Sequence, residues 1–242
     1  MNTQEDLTMK DLTVKENTYK IELSGNNLID LSHTAEADMP CDPALALPEL
    51  DFFSREGSGL QLHNLEVIRY CPHTGTHMDS PFHVCSEWGS METVDPAVLI
   101  GPATVLSLTV PEYDYAVTRE DIEQWEAEFG EIPKGDAVLL HPGHADKWEQ
   151  GSGSDIDKGY IRLAPSAAAY LAEKKTRFIA LESISVDGAD TEVHKLLLGN
   201  GVCIVENVCN LEKIGQIHCS TIGTFPAVKG ASGAWVRLLA LV

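Results

Sequence analysis

The chain has 242 residues, 43% of them apolar, and 37 acidic against 17 basic side chains, for a formal charge of −20. Such a charge repels phosphate backbones, so nucleic acid is not an expected partner, and no stretch approaches the roughly 18 consecutive apolar residues of a membrane span. The length suits one large domain with a substantial core.

Residues 1–26 are polar and end in the turn-like Ser24-Gly25-Asn26, so they read as an N-terminal arm, with the domain itself expected over 27–242. The arm lacks the apolar core and small-residue cleavage site of a secretory signal. The six cysteines form no CxxC pair, which points to free thiols and a cytoplasmic location. The core begins at residues 28–31, and short β-type runs follow at 64–70, 103–110, 137–140, 177–181, 202–205 and 235–242.

Three helices lie between these runs. The first starts at Thr118, which with Asp121 resembles a capping box, carries Ile122, Trp125 and Phe129 on one stripe, and ends at Gly130. The second starts near Pro165, because proline at a first helical turn loses no needed donor. The third runs from an Asp190 cap through Val193, His194 and Leu197 to Gly199. Residues 150–157 (QGSGSDID) read as an exposed loop. Together these elements predict a strand-rich α/β (α+β) single domain.

The chemistry concentrates in residues 73–83, HTGTHMDSPFH. His73, His77, Asp79 and His83 all occupy odd positions, so an extended backbone projects the four to one face, whereas Gly75 and Pro81 disfavour a helix. Two imidazoles and a carboxylate suit Zn²⁺, Mn²⁺ or Fe²⁺ and leave positions open for water or substrate. The bland reading, loop histidines hydrogen-bonded to backbone, accounts less well for this spacing. His141 and His144 (HPGH) flank Pro142 and Gly143, so a loop position away from the ion is expected for them. Ser80 lacks a GxSxG context and is not expected to act as a nucleophile.

The segment matches HxGTHxDxPxH at every fixed position, and the chain resembles the cyclase family of metal-dependent hydrolases, which includes bacterial kynurenine formamidases and isatin hydrolases. The resemblance extends through residues 28–40 (LIDLSHTAEADMP), 99–108, 135–143, 183–198 (SISVDGADTEVHKLLL) and 236–242. It implies a swivelling β/β/α domain and a homodimer or a larger assembly such as a homotetramer. It implies His73, His77 and Asp79 as ligands of a divalent metal, Zn or Mn, with one or two ions per subunit, and His83 as the catalytic histidine. His194 and Glu206, twelve residues apart, then complete a second site around a bridging Asp79. On its own, Glu206 is notable for ending an apolar run, where a buried carboxylate is costly unless paired or metal-bound.

The implied reaction is hydrolysis of a small amide, formamide, cyclic imide or lactone. The metal lowers the pKa of water toward about 7, and His83 takes up a proton and returns it to the leaving group. A lyase or cyclase using the same metal as Lewis acid, and a non-catalytic metal- or ligand-binding protein, are the alternatives. One segment departs from the family: Met39-Pro40-Cys41-Asp42-Pro43 stands where formamidases carry a Trp-Pro-Gly-Asp type signature that helps line the pocket. The substrate is therefore not carried over with the machinery.

Overall fold

The computed structural model describes residues 27–42, 44–57, 62–111, 114–142, 159–188 and 190–242; the expected N-terminal arm and the loop at 150–157 lie outside them. In chain order come strands β1 (Leu28–Asp30), β2 (Glu49–Ser54), β3 (Leu65–Arg69), β4 (His77–Asp79), β5 (Gly101–Ser107) and β6 (Ala116–Val117), then helix α1 (Arg119–Phe129). There follow β7 (Ala137–His141), β8 (Arg162–Leu163), α2 (Pro165–Glu173), β9 (Phe178–Leu181), α3 (Glu192–Gly199), β10 (Cys203–Glu206), β11 (His218–Thr224), β12 (Gly233–Trp235) and β13 (Arg237–Leu241).

Nine strands form one sheet in the order β1-β13-β11-β5-β7-β9-β10-β4-β12. Neighbours among β5, β7, β9 and β10 run parallel, and the remaining pairs are antiparallel. The parallel strands are the continuous apolar runs of the sequence, as burial on both faces requires. Phe178 and Ala180 face one core with Leu31, Met78 and Leu99. Ile179 and Leu181 face the other, which α1, α2 and α3 cover with Ile122, Leu171 and Leu197. Phe178 is fully buried, so its truncation to alanine costs about 3–5 kcal/mol. The result is a mixed α/β domain with a large curled sheet and few helices, as expected.

Local expectations hold where a cap or a long apolar run carries them. Thr118 and Asp121 form the capping box: the Asp121 N–H donates to Thr118 Oγ1 at 3.2 Å, and the Thr118 N–H donates to Asp121 Oδ2 at 2.8 Å. Three expectations need correction. The run 235–242 is two strands, since the Val236 N–H turns to Thr76 O at 3.0 Å and the chain passes from pairing β4 to pairing β1 and β11 with no glycine or proline to mark the change. The cap position of α3 is Thr191, although Asp190 Oδ1 still accepts the Glu192 N–H at 3.2 Å. Within 73–83 only β4 is extended: His73 comes from a preceding turn, and Pro81–His83 is a 3-10 turn.

Candidate metal centre

β4 lies between β10 and β12, and this pairing builds the site. The register sets His77 opposite Glu206, and the two-residue period of a strand returns Asp79 to the same face while Met78 enters the core behind. α3 packs over β10 and lowers His194 onto that face. His77 Nε2 lies 3.5 Å from Asp79 Oδ1 and 3.4 Å from Glu206 Oε2. His194 Nε2 lies 3.3 Å from Asp79 Oδ2 and 3.5 Å from Glu206 Oε1. His73 Nδ1 is 2.8 Å from Asp79 Oδ1, and its Nε2 is 2.8 Å from Ser232 Oγ.

His77, Asp79, His194 and Glu206 are all buried, His73 is half-buried and His83 is exposed on the open side. The His83 ring stacks at a tilt over His73, centroids 3.9 Å apart, and stands 5.4 Å from the His194 ring. All six residues singled out in the sequence therefore meet at one place, though turns rather than one extended strand deliver His73 and His83.

Each buried imidazole has its Nδ1 engaged away from the centre. The Gly75 carbonyl can only accept, so His77 Nδ1 donates to it at 2.9 Å, and Nε2, facing the carboxylates, is the nitrogen left with a lone pair when the ring is neutral. His194 Nδ1 is held by Asp187 Oδ2 at 2.7 Å in the same way. Gly75 adopts φ +63°, and a Cβ there would meet Met39 Sδ at 3.3 Å, so the turn requires glycine. Asn207, also left-handed at φ +57°, follows Glu206, and its Nδ2 donates to the Gly75 carbonyl at 3.1 Å. Thr76 Oγ1 donates to Asn207 O at 2.6 Å.

The electrostatics are those of a cation site. Two buried carboxylates share it, and among the described residues no lysine or arginine pairs with either. Burial opposes charge on His77, but Asp79 and Glu206 outweigh it and push its pKa up to about 10; His194, likewise buried, is pushed up to about 12 by Asp187, Asp79 and Glu206. Against their own burial, the rings hold the Asp79 carboxyl well below its usual range and lower that of Glu206. His83 moves the other way: desolvation lowers its pKa, Asp79 acts against this, and His73 and His194 reinforce it.

His77 Nε2 and Asp79 Oδ2 are buried without a hydrogen-bond partner. Buried polar atoms rarely stay unpaired, and an imidazole lone pair beside a carboxylate oxygen is the donor set of a divalent ion. Two triads place one donor atom each within 4.8 Å of the others, His77 with Asp79 and Glu206, and His73 with Asp79 and His83. The residues present fit a metal.

The Cyclase family model matches residues 29–188. The chain belongs to the Cyclase family. The matched span holds His73, His77, Asp79 and His83, whereas His194 and Glu206 lie beyond it. Within the Cyclase-like relatives, the chain is 28% identical over 188 residues to the kynurenine formamidase of Bacillus thuringiensis (strain Al Hakam), taking in 76% of this chain and 82% of the relative. It is 25% identical over 194 residues to the isatin hydrolase of Roseibium aggregatum, covering 70% and 72% respectively. The fold is shared with isatin hydrolase A from Labrenzia aggregata bound to benzyl benzoate, at a TM-score of 0.78 and 24% identity over 89% of this chain and 93% of the other. It is likewise shared with isatin hydrolase A from Ralstonia solanacearum, at a TM-score of 0.80 and 21% identity over 90% and 93%.

His141 and Ser80, also weighed in the sequence, have other partners. His141 Nδ1 pairs with Glu182 Oε2 at 3.0 Å, and His144 lies outside the described residues. Ser80 Oγ donates to the Ser232 carbonyl at 2.9 Å. Two residues at the site were not anticipated. Ser232 approaches from the bend just before β12, far from the motif in sequence, and Asp187 sits in an Asp-Gly pair that reads as an ordinary turn.

Proposed function

We propose that this chain is a metal-dependent hydrolase cleaving a carbonyl–nitrogen bond in a small amide, formamide or cyclic imide, with lactones as further substrates. The observation that carries the reading is the buried set His77, Asp79, His194 and Glu206, with unpartnered His77 Nε2 and Asp79 Oδ2, opening toward the exposed His83. The relatives named kynurenine formamidase and isatin hydrolase support it.

His73, His77 and Asp79 would hold one ion, Zn or Mn, and Asp79 with His194 and Glu206 a second. When bound, such an ion acts as a Lewis acid that polarises a carbonyl and lowers the pKa of water toward about 7. Asp79 would serve both positions, since its two oxygens face different imidazoles, His73 and His77 on Oδ1 and His194 on Oδ2. His83, with its pKa lowered, is neutral near pH 7 and able to accept a proton, which it then returns to the leaving nitrogen; such transfer contributes typically about 10²–10⁴-fold. One observation favours another role for His83: a ring nitrogen lies within 4.8 Å of the donor atoms of His73 and Asp79, close enough for the three to share an ion.

Met39 and Cys41 are buried, and Met39 packs on Gly75 beside the motif, so the segment that departs from the formamidase signature borders the site. The test is a panel of aryl formamides, cyclic amides such as isatin, and lactones, assayed on protein purified without chelator and analysed for metal. Hydrolysis adds one water to the product mass. Turnover without that gain, or full activity in verified metal-free protein, overturns the reading.

The reading includes a homodimer and a cytoplasmic location. All six cysteines are free, which accords with a reducing compartment, and no described helix is long and apolar enough to cross a membrane. β2 and β3 form a separate two-stranded sheet, and eight of the thirteen exposed large apolar side chains among the described residues fall between 47 and 68. A lone two-stranded sheet is marginal in water. Leu50, Phe52 and Ile68 share one of its faces and are exposed, an apolar patch suited to a second copy of the chain.

A further inference from the structure

A neutral imidazole carries one proton on two ring nitrogens, and which nitrogen holds it decides whether the other can ligate. For His77 the choice is made by a backbone carbonyl. For His194 it is made by a side chain, and that side chain has two further tasks. Asp187 Oδ2 accepts from His194 Nδ1 at 2.7 Å and from the His194 backbone N–H at 3.1 Å, while Oδ1 accepts the Val193 N–H at 2.8 Å. One carboxylate thus closes the first turn of α3 and fixes the ring that the same turn projects.

Asp187 is held in its turn. It is 2% exposed, and Tyr160 Oη donates to its carbonyl at 2.7 Å. The Val186 N–H next to it donates to Glu206 Oε1 at 2.9 Å, so residues 186–187 fix both groups of the distal half of the centre. Three N–H donors converge on the Asp187 side chain, and only a carboxylate offers two acceptor oxygens to meet them; an asparagine must turn its amide N–H₂ toward one.

We propose that Asp187 is the positioning residue of the metal centre: it sets the tautomer of His194, aims Nε2 at Asp79 and Glu206, and couples that aim to the start of α3. The proposal rests on the reading of His194 as a ligand. Outer partners of this kind typically change metal affinity by about 10–100-fold when removed.

The experiment is a Zn²⁺ titration of the full chain against a chromophoric chelator, with ¹⁵N-histidine NMR of the zinc-loaded protein. The expected wild-type result is His194 bound through Nε2 with a hydrogen-bonded proton on Nδ1. Asp187→Ala should raise the Zn²⁺ dissociation constant 10–100-fold and remove that protected proton. Asp187→Asn preserves size, should shift affinity in the same direction, and decides the matter should the alanine variant fail to fold. Asp190→Ala removes the neighbouring acceptor of the Glu192 N–H without touching His194, so it should change neither readout. Wild-type affinity in both Asp187 variants, or zinc on His194 Nδ1, overturns the assignment of Asp187 while leaving the metal reading intact. Zinc that binds without moving the His194 signals, or no zinc at all, overturns the ligand reading first and the assignment with it.

Discussion

At the scale of single residues, Asp79 and His83 sit in one motif and do different work. Asp79 is fully buried with three imidazoles around it, so Asp79→Ala removes one of the two carboxylates that His77 and His194 share and takes a candidate ligand oxygen from both positions. Bound metal should fall, measured by elemental analysis, together with thermal stability in metal-containing buffer. His83 is exposed, and its ring lies against those of His73 and His194. His83→Ala should keep its fold and metal yet lose turnover by roughly two to four orders of magnitude. A His83→Ala protein that loses metal in proportion to activity would identify His83 as a ligand beside His73 and Asp79.

At the scale of elements, α1 and α2 are joined by a buried polar knot whose titration has a definite sign. Glu126 on α1 accepts the Ile132 N–H at 2.7 Å and the Lys174 ammonium at 2.7 Å, together with the Tyr170 hydroxyl from α2. Burial alone would raise its pKa, but Lys174, Tyr170 and Ile132 outweigh it and the carboxyl is depressed below its ordinary 4.5. A depressed carboxyl contributes stability that is complete above the unfolded value and lost as pH falls through the folded one. Glu126→Gln should therefore cost about 1–3 kcal/mol at pH 7, a fall in Tm of roughly 3–10 °C for a domain of this size. The gap between wild type and variant should narrow in melts below about pH 4.5, and a gap independent of pH would show that charge at Glu126 is not what matters. The β2–β3 sheet gives a second test. Leu50 pairs with Ile68 on one face, while Arg69 bridges Glu49 and Asp51 on the other. If the apolar face joins two copies by a two-fold axis, each charge placed there appears twice in the interface. Leu50→Asp with Ile68→Asp should convert a species of twice 26.4 kDa to the single chain in light scattering, and an unchanged mass would remove the sheet from the interface.

At the scale of the whole molecule, the centre ties the sheet to α3, so ion binding and folding are linked. An ion at about 100 times its dissociation constant adds about 2.7 kcal/mol, and chelation should lower Tm by roughly 5–10 °C, recovered on adding Zn²⁺ or Mn²⁺. A Tm indifferent to chelator would mean that the cluster holds no ion. The sequence by itself determined the parts whose physics is local. Apolar runs buried on both faces became the parallel strands, the Thr118–Asp121 box started α1, and the candidate ligand residues of 73–83 were legible because a strand and two turns keep them within a few residues of one another. β11 was not legible, since its HCSTIGT carries serine and threonine where a core strand ordinarily shows aliphatic residues. The grouping of His194 and Glu206 with Asp79 rested in the sequence on family resemblance; only the tertiary structure brought Glu206 beside β4, through the pairing of β10 with β4 across more than a hundred residues, and set His194 of α3 within 3.5 Å of both carboxylates. Asp187 is the same case at its sharpest. An Asp-Gly pair in a chain is a turn signal and nothing more, because the donors that give its carboxylate meaning are supplied by a helix further along the chain and by a ring whose direction that helix sets.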